Sequence, residues 1–447
     1  MCNWKTLVWC FLWGLFVWLA CTPARPTTRP APSPQRPAPS RPADRPAAPN
    51  QPMDTIRWRP APDARPPIGD APSTPVPPGS APAPIYRLAL LLPFLAEQTD
   101  ASSPTVPDKS LPALQFYAGA QLALQRLSEA GMNLEVEVLD TRLSDADFQR
   151  LLDHPRLQRA QVIIGPMRST HVSLLAERTK QTRQILLSPE SPTMGLTRQN
   201  PDFIQMMPSL RAHGAAIVQH ILARYRPETV SILLRRREAE RTAFFQPTDG
   251  RRFSEIFTPD EGNYFDKIDL EPCFRPGQTA VFVLPTWSSQ DFVMAFFRKL
   301  SAVRKGRSVA VYGMPQWRQF ESIEPEYFAE LNVHISSAAY FDPDNDALRA
   351  FQQVFFDTYG TVPDEDAFNG YDVLMLTGQW LQRYGLSFPQ RLPAEAIFSG
   401  LRGSYRFARV PAEGPAPTER LASHYDYLEN TYVHILRFQN YRFERAW

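Results

Sequence analysis

Proline splits this chain into two unlike parts. Of its 46 prolines, 21 lie between residues 22 and 84, set among Ala, Arg and Ser. Large apolar residues are few there: Met53, Ile56, Trp58, Ile68 and Val76. Such a segment cannot bury enough surface to offset the entropy of ordering it. Residues 21–84 are therefore predicted to be a disordered, Pro/Arg-rich tether. In the extended polyproline II form, at ~3.1 Å per residue, the tether would reach well over ~100 Å. Packed structure has to come from residues 85–447, enough chain for two domains of roughly 150 residues each.

Charge follows the same division. The tether carries eight Arg and four Asp, whereas the whole chain is only +2. With Lys5 also set aside, residues 85–447 are left at about −3. A near-neutral body lacks the concentrated basic surface that nucleic-acid binding needs, so no nucleic-acid partner is expected. The cysteines are Cys2, Cys10, Cys21 and Cys273. They form neither a disulfide framework nor a set with zinc-ligand spacing.

The N-terminus reads as a processing signal over residues 1–20. Lys5 supplies a positive start, and residues 7–20 form an apolar run of secretory length, shorter than the ~20 residues of a spanning helix. The run ends at Leu19-Ala20-Cys21, which resembles a bacterial lipobox. That resemblance implies lipidation at Cys21 and a membrane anchor in the cell envelope, with the body in the periplasm. It departs from the pattern at Trp18, where an aliphatic residue is usual. An ordinary signal peptide or an uncleaved anchor is the alternative.

From residue 85 onward, short apolar runs alternate with amphipathic stretches. Residues 86–92 (YRLALLL), 134–139, 161–164 and 184–187 read as strands, with helices over 113–130, 144–153 and 170–181 between them. A second series follows: a helix over 209–225, then strands at 230–234, 280–284 and 308–312 with a helix over 288–303. Two long helices, 346–359 and 366–384, precede a tail with antiparallel character at 404–408 and 432–438. A βαβ series predicts parallel sheets covered by helices on both faces.

These pieces, in this order, resemble the type I periplasmic binding proteins, the leucine/isoleucine/valine-receptor class. The resemblance is carried by LALLLPF at 88–94, FYAGAQLALQRL at 116–127, IIGPMRST at 163–170, ILLSPESPT at 185–193, FIQMMP at 203–208 and FFDTYGTVPDEDAFNGYDVL at 355–374. It covers about residues 85–438. It implies an α/β fold of two Rossmann-like lobes joined by three hinge crossings. Lobe one would be 85–208 plus 340–402, and lobe two 209–339 plus 403–447.

Open α/β sheets place ligands at the carboxyl ends of their strands. Two loops there are rich in small polar residues: Met167-Arg168-Ser169-Thr170 and Ser188-Pro189-Glu190-Ser191-Pro192-Thr193. The family resemblance implies that Ser169, Thr170, Ser188, Ser191 and Thr193 are ligand-binding, with Glu190 as a partner for an ammonium group. The plainer reading is that the hydroxyls cap a helix and the Ser-Pro pairs shape a turn. Lobe two departs from the family pattern. The strand at 230–234 runs into Arg235-Arg236-Arg237, and no clear βα unit follows before residue 279. With Arg241, Arg251 and Arg252, this cluster reads as a solvated loop partly balanced by Glu238, Glu240 and Asp249, with an anion site as the alternative.

Enzyme signatures are missing. No Walker lysine loop, G-x-G-x-x-G or G-x-S-x-G elbow occurs, and the seven histidines are dispersed. Asp342-Pro343-Asp344-Asn345-Asp346 imitates a calcium loop but has Ala347 and Gln353 where Gly and Glu are needed. A non-enzyme without cofactor or metal is expected. It would bind a small polar ligand, such as an amino acid or amide, between the lobes for a transporter or a sensor. The alternative is a protein-interaction module with an envelope protein as its partner, similar to the lipoprotein activators of penicillin-binding proteins.

Overall fold

The computed structural model describes residues 84–99, 105–412 and 425–446. The signal segment, Cys21 and the tether up to residue 83 lie outside the described residues. The first sheet begins with β1 (Tyr86–Leu92), β2 (Leu134–Asp140), β3 (Val162–Ile164), β4 (Ile185–Ser188) and β5 (Phe203–Gln205). Helices α1 (Leu111–Glu129), α2 (Asp145–Leu152), α3 (Pro155–Arg159) and α4 (Ser169–Thr182) connect them. All neighbouring pairs among these five strands are parallel. Helices cover both faces, so β1 needs no polar side and is buried from Leu88 to Leu92.

The second sheet repeats the plan. After α5 (Leu210–Leu222) come β6 (Val230–Arg235), β7 (Ser254–Thr258), β8 (Ala280–Val283), β9 (Val309–Gly313) and β10 (Val333–Ser337). Helices α6 (Gln290–Arg304) and α7 (Pro325–Glu330) pack against it. β7 was not expected from sequence. Its SEIFT lies at the sheet edge with its first two residues exposed, so it carries no apolar run. A ten-residue 3-10 helix, Arg236–Phe245, joins β6 to β7 in place of an α-helix.

The chain then returns to the first lobe through α8 (Asp346–Tyr359) and α9 (Glu365–Tyr384), followed by the short α10 (Phe388–Arg391). α9 lies along α1 at very close range. A Cβ on Gly119 would overlap the carbonyl oxygen of Ala367, and one on Gly370 would overlap that of Phe116. A two-strand hairpin of β11 (Phe398–Ser399) and β12 (Ser404–Tyr405) follows. The tail differs from the sequence expectation. The pattern places residues 403–447 wholly in lobe two, yet β13 (Phe407–Pro411) and β14 (Tyr425–Asn430) complete the first sheet, in the order β13-β14-β5-β4-β3-β1-β2. Only β15 (His434–Gln439) and β16 (Arg442–Arg445) join the second, ordered β16-β15-β10-β9-β8-β6-β7.

The polar residues of β14 explain its place. Every residue of YDYLEN is buried, and a buried polar group needs partners. The Ser209 amide donates to Glu429 Oε1 at 2.8 Å, and the Gln199 amide to Asp426 Oδ1 at 3.1 Å. Asn430 Nδ2 donates to the Met206 carbonyl at 3.1 Å. These anchors lie on the β4–β5 loop and at the first crossing, so the strand fits only there. The chain thus passes between the sheets three times, after β5, after β10 and after β14.

Candidate functional site

In each sheet the strand order reverses beside its first strand: β2-β1-β3 in lobe one and β7-β6-β8 in lobe two. Connections leave such a point in opposite directions, which opens a crevice beyond the carboxyl ends of the strands. A cleft of about 680 Å³ lies at these ends between the lobes. Lobe one contributes Thr193 and Met194 from the loop after β4. Lobe two contributes the end of β6 with the following 3-10 helix, and Trp287 and Ser288 from the loop after β8.

On the lobe-one side the hydroxyls form a connected set. Ser169 Oγ lies 2.7 Å from Ser191 Oγ and 3.2 Å from Thr193 Oγ1. Ser191 Oγ also accepts from the Thr193 amide at 3.4 Å. Ser169 opens α4 but does not cap it; the N-cap position is Arg168, with no side-chain cap bond. Among the described residues no side chain accepts from the first amides of α4, and the helix dipole adds positive character there. Thr170 is exposed on the same first turn.

The remaining two expected residues sit deeper. Ser188 is fully buried at the end of β4, and its hydroxyl has no hydrogen-bond partner among the described residues. Glu190 accepts from Asn369 Nδ2 on α9. Burial pushes its carboxyl above the ordinary value, against the pull of the Arg402 guanidinium. Arg402 is itself buried and donates to Glu365 Oε1 at 3.0 Å. Glu365 lies 3.9 Å from Arg318 of lobe two, so this network reaches across the lobes. Burial, then the nearby Glu190 and Asp364 charges, raises Asp366 to about 7.

The lobe-two wall is the part that sequence reasoning misread. Arg235 is 7% exposed, not solvated, and grips Glu238 through two bonds of 2.8 Å. The hydrogen bond to Glu238 raises the already high pKa of Arg235. Arg241 Nη1 donates to the same carboxylate at 2.9 Å. Arg235 also lies over the Phe292 ring at 5.4 Å. Arg237 is exposed to the cleft; its amide donates to Asp260 Oδ1, and its guanidinium has no partner among the described residues. The sequence signal that was available is spacing. Glu238 follows Arg235 by three and precedes Arg241 by three, the separation at which side chains meet on a helical turn. On the same wall, Trp287 packs edge-on against buried His213 at 5.5 Å between ring centroids.

Among the described residues no His, Cys, Asp and Glu group is arranged to hold a metal ion, and no helix is long and apolar enough to cross a membrane.

Two α/β lobes with three crossings and a cleft at facing strand ends define the type I periplasmic binding protein fold. The chain is similar in structure to a protein from Rhodospirillum rubrum described as a branched-chain amino acid ABC transporter, at 16% identity and a TM-score of 0.59, over 81% of this chain and 100% of that one. A branched-chain amino acid ABC transporter periplasmic ligand-binding protein from Burkholderia xenovorans matches at 13% identity and a TM-score of 0.54, over 81% and 94% of the two chains. LpoA from Haemophilus influenzae matches at 12% identity and a TM-score of 0.53, over 82% of this chain but 60% of LpoA. No family model and no curated protein matches the sequence.

Proposed function

We propose that this protein is a non-enzymatic receptor of the bacterial cell envelope. It binds a small polar ligand, such as an amino acid, between its lobes and serves a transporter or a sensor. Lipidation at Cys21 anchors it, and the Pro-rich tether carries the body into the periplasm. The observation that supports this reading is the cleft itself: it lies at the carboxyl ends of strands from both sheets and has polar groups on both walls. Ser169, Ser191 and Thr193 serve as the lobe-one contacts, with Thr170 at their edge. Ser188 and Glu190 shape the loop from below. A structure of the same fold from Desulfitobacterium hafniense, at 17% identity and a TM-score of 0.50, is described as a complex with Leu.

The test is thermal unfolding of the full chain with a panel of amino acids. A ligand present at ~100 times its dissociation constant stabilises by about 2.7 kcal/mol. A selective shift that Thr193→Ala weakens is the expected result. A well-folded sample that shifts with no amino acid would remove the receptor reading.

A second reading is a protein-interaction module in the envelope. It draws support from apolar surface at the end of α8, where Phe356 is 50% and Val362 72% exposed. Burial of those residues on adding an envelope extract, with no response to amino acids, is what this reading expects.

A further inference from the structure

Even with Asp260 counted, which accepts from the Arg237 amide, the lobe-two wall sets three arginines against two carboxylates. Arg235, Arg237 and Arg241 face the cleft with a single carboxylate, Glu238. Both Glu238 oxygens are already engaged, Oε2 by Arg235 Nε and Oε1 by Arg235 Nη2 and Arg241 Nη1. Glu238 thus works as a brace. It fixes the planes of two guanidiniums and leaves their other N–H groups free of it. The third guanidinium, on Arg237, has no partner among the described residues. Planar donors held in a half-enclosed space match a carboxylate and discriminate poorly for an uncharged amide. Apart from Ser288, the rest of the wall is apolar, with Leu210, Pro285 and Trp287, and suits a short hydrocarbon body.

We infer that the cleft ligand is a small acid with a net negative charge, whose distal carboxylate sits on Arg237 and Arg241 while Thr193, backed by Ser169, holds the opposite end. This rests on the receptor reading and narrows its ligand class from amino acids in general to acidic ones. It also accounts for the departure of lobe two from the sequence pattern of its fold: the arginine run and the 3-10 helix behind it form the acid-binding wall.

Matched pairs of acid and amide test the assignment with the full chain: L-glutamate against L-glutamine, D-glutamate against D-glutamine, and succinate against the neutral diamide succinamide. Isothermal titration at low and moderate salt is the readout. At least one acid is expected to bind about tenfold or more tightly than its amide, because a charge-assisted bond to Arg is lost in the amide. Arg237→Gln, at an exposed position, is expected to erase that preference while leaving the melting temperature of the free protein unchanged. Added salt should weaken the acid and leave the amide unaffected. An amide or a neutral amino acid that binds as well as or better than the acids overturns the inference and leaves the receptor reading standing. An acid preference that survives Arg237→Gln and Arg241→Gln together overturns the assigned wall. No binding by any of these compounds or by neutral amino acids overturns the inference and the receptor reading together.

Discussion

At the residue scale, the half-buried carboxyl of Asp366 has the clearest consequence for stability. Asp366 moves from 3.8 to about 7, chiefly through burial and then through repulsion from Glu190 and Asp364. Between these values the folded chain holds a proton that the unfolded chain has lost. Stability from this site therefore falls as pH rises from about 4 to 7, and stays lower above that. Asp366→Asn removes the penalty. It should match the parent near pH 4 and exceed it by about 2–4 kcal/mol at pH 8. Urea titrations at both values check this, and an equal difference at both would rule out the carboxyl as the cause. The five histidines lowered by burial, His171, His213, His220, His334 and His434, act in the opposite direction. The unfolded chain binds their protons first, so stability from them is lost as pH falls below about 6.5. The variant must therefore be compared with its parent at each pH. At this same scale the sequence was only partly readable. The family resemblance grouped Ser169, Ser191 and Thr193 as ligand-binding residues, but their contacts with one another appear only in the fold. The burial of Arg235 was not readable: the spacing to Glu238 offered the pair, but a run of arginines looks solvated until the fold closes over one of them.

At the scale of elements, close contact between α1 and α9 is written in glycine. Gly119 and Gly370 each face a backbone carbonyl of the other helix, so no side chain fits between them. Gly119→Ala should destabilise the protein by about 1–3 kcal/mol despite the higher helix propensity of alanine. A lower urea midpoint with an unchanged m-value is the expected signature. A neutral or stabilising effect would mean the helices separate freely. Most elements were legible because buried parallel strands demand near-continuous apolar runs, as in Leu88–Leu92. β7 escaped because an edge strand with exposed residues has no such requirement. β14 was placed in the wrong lobe for a related reason. Its Asp426, Glu429 and Asn430 find partners about 220 residues away in sequence, a fit that local pattern does not display.

Over the whole molecule, the two lobes share their C-terminal segment. β14 lies between β13 and β5 in the first sheet, and β15 lies between β10 and β16 in the second. A chain ended at residue 424 should lose hydrogen-exchange protection in β5 as well as in β10. Loss confined to β10 would show that lobe one holds together without β14.

That shared segment also sets when the protein becomes rigid. A chain made or threaded N-terminus first reaches β5 long before β14 arrives to pair with it. The first sheet stays open on that side through the synthesis of the entire second α/β series, and the second stays open until β15 follows. The two lobes are therefore completed together, at the end of synthesis, and not one after the other.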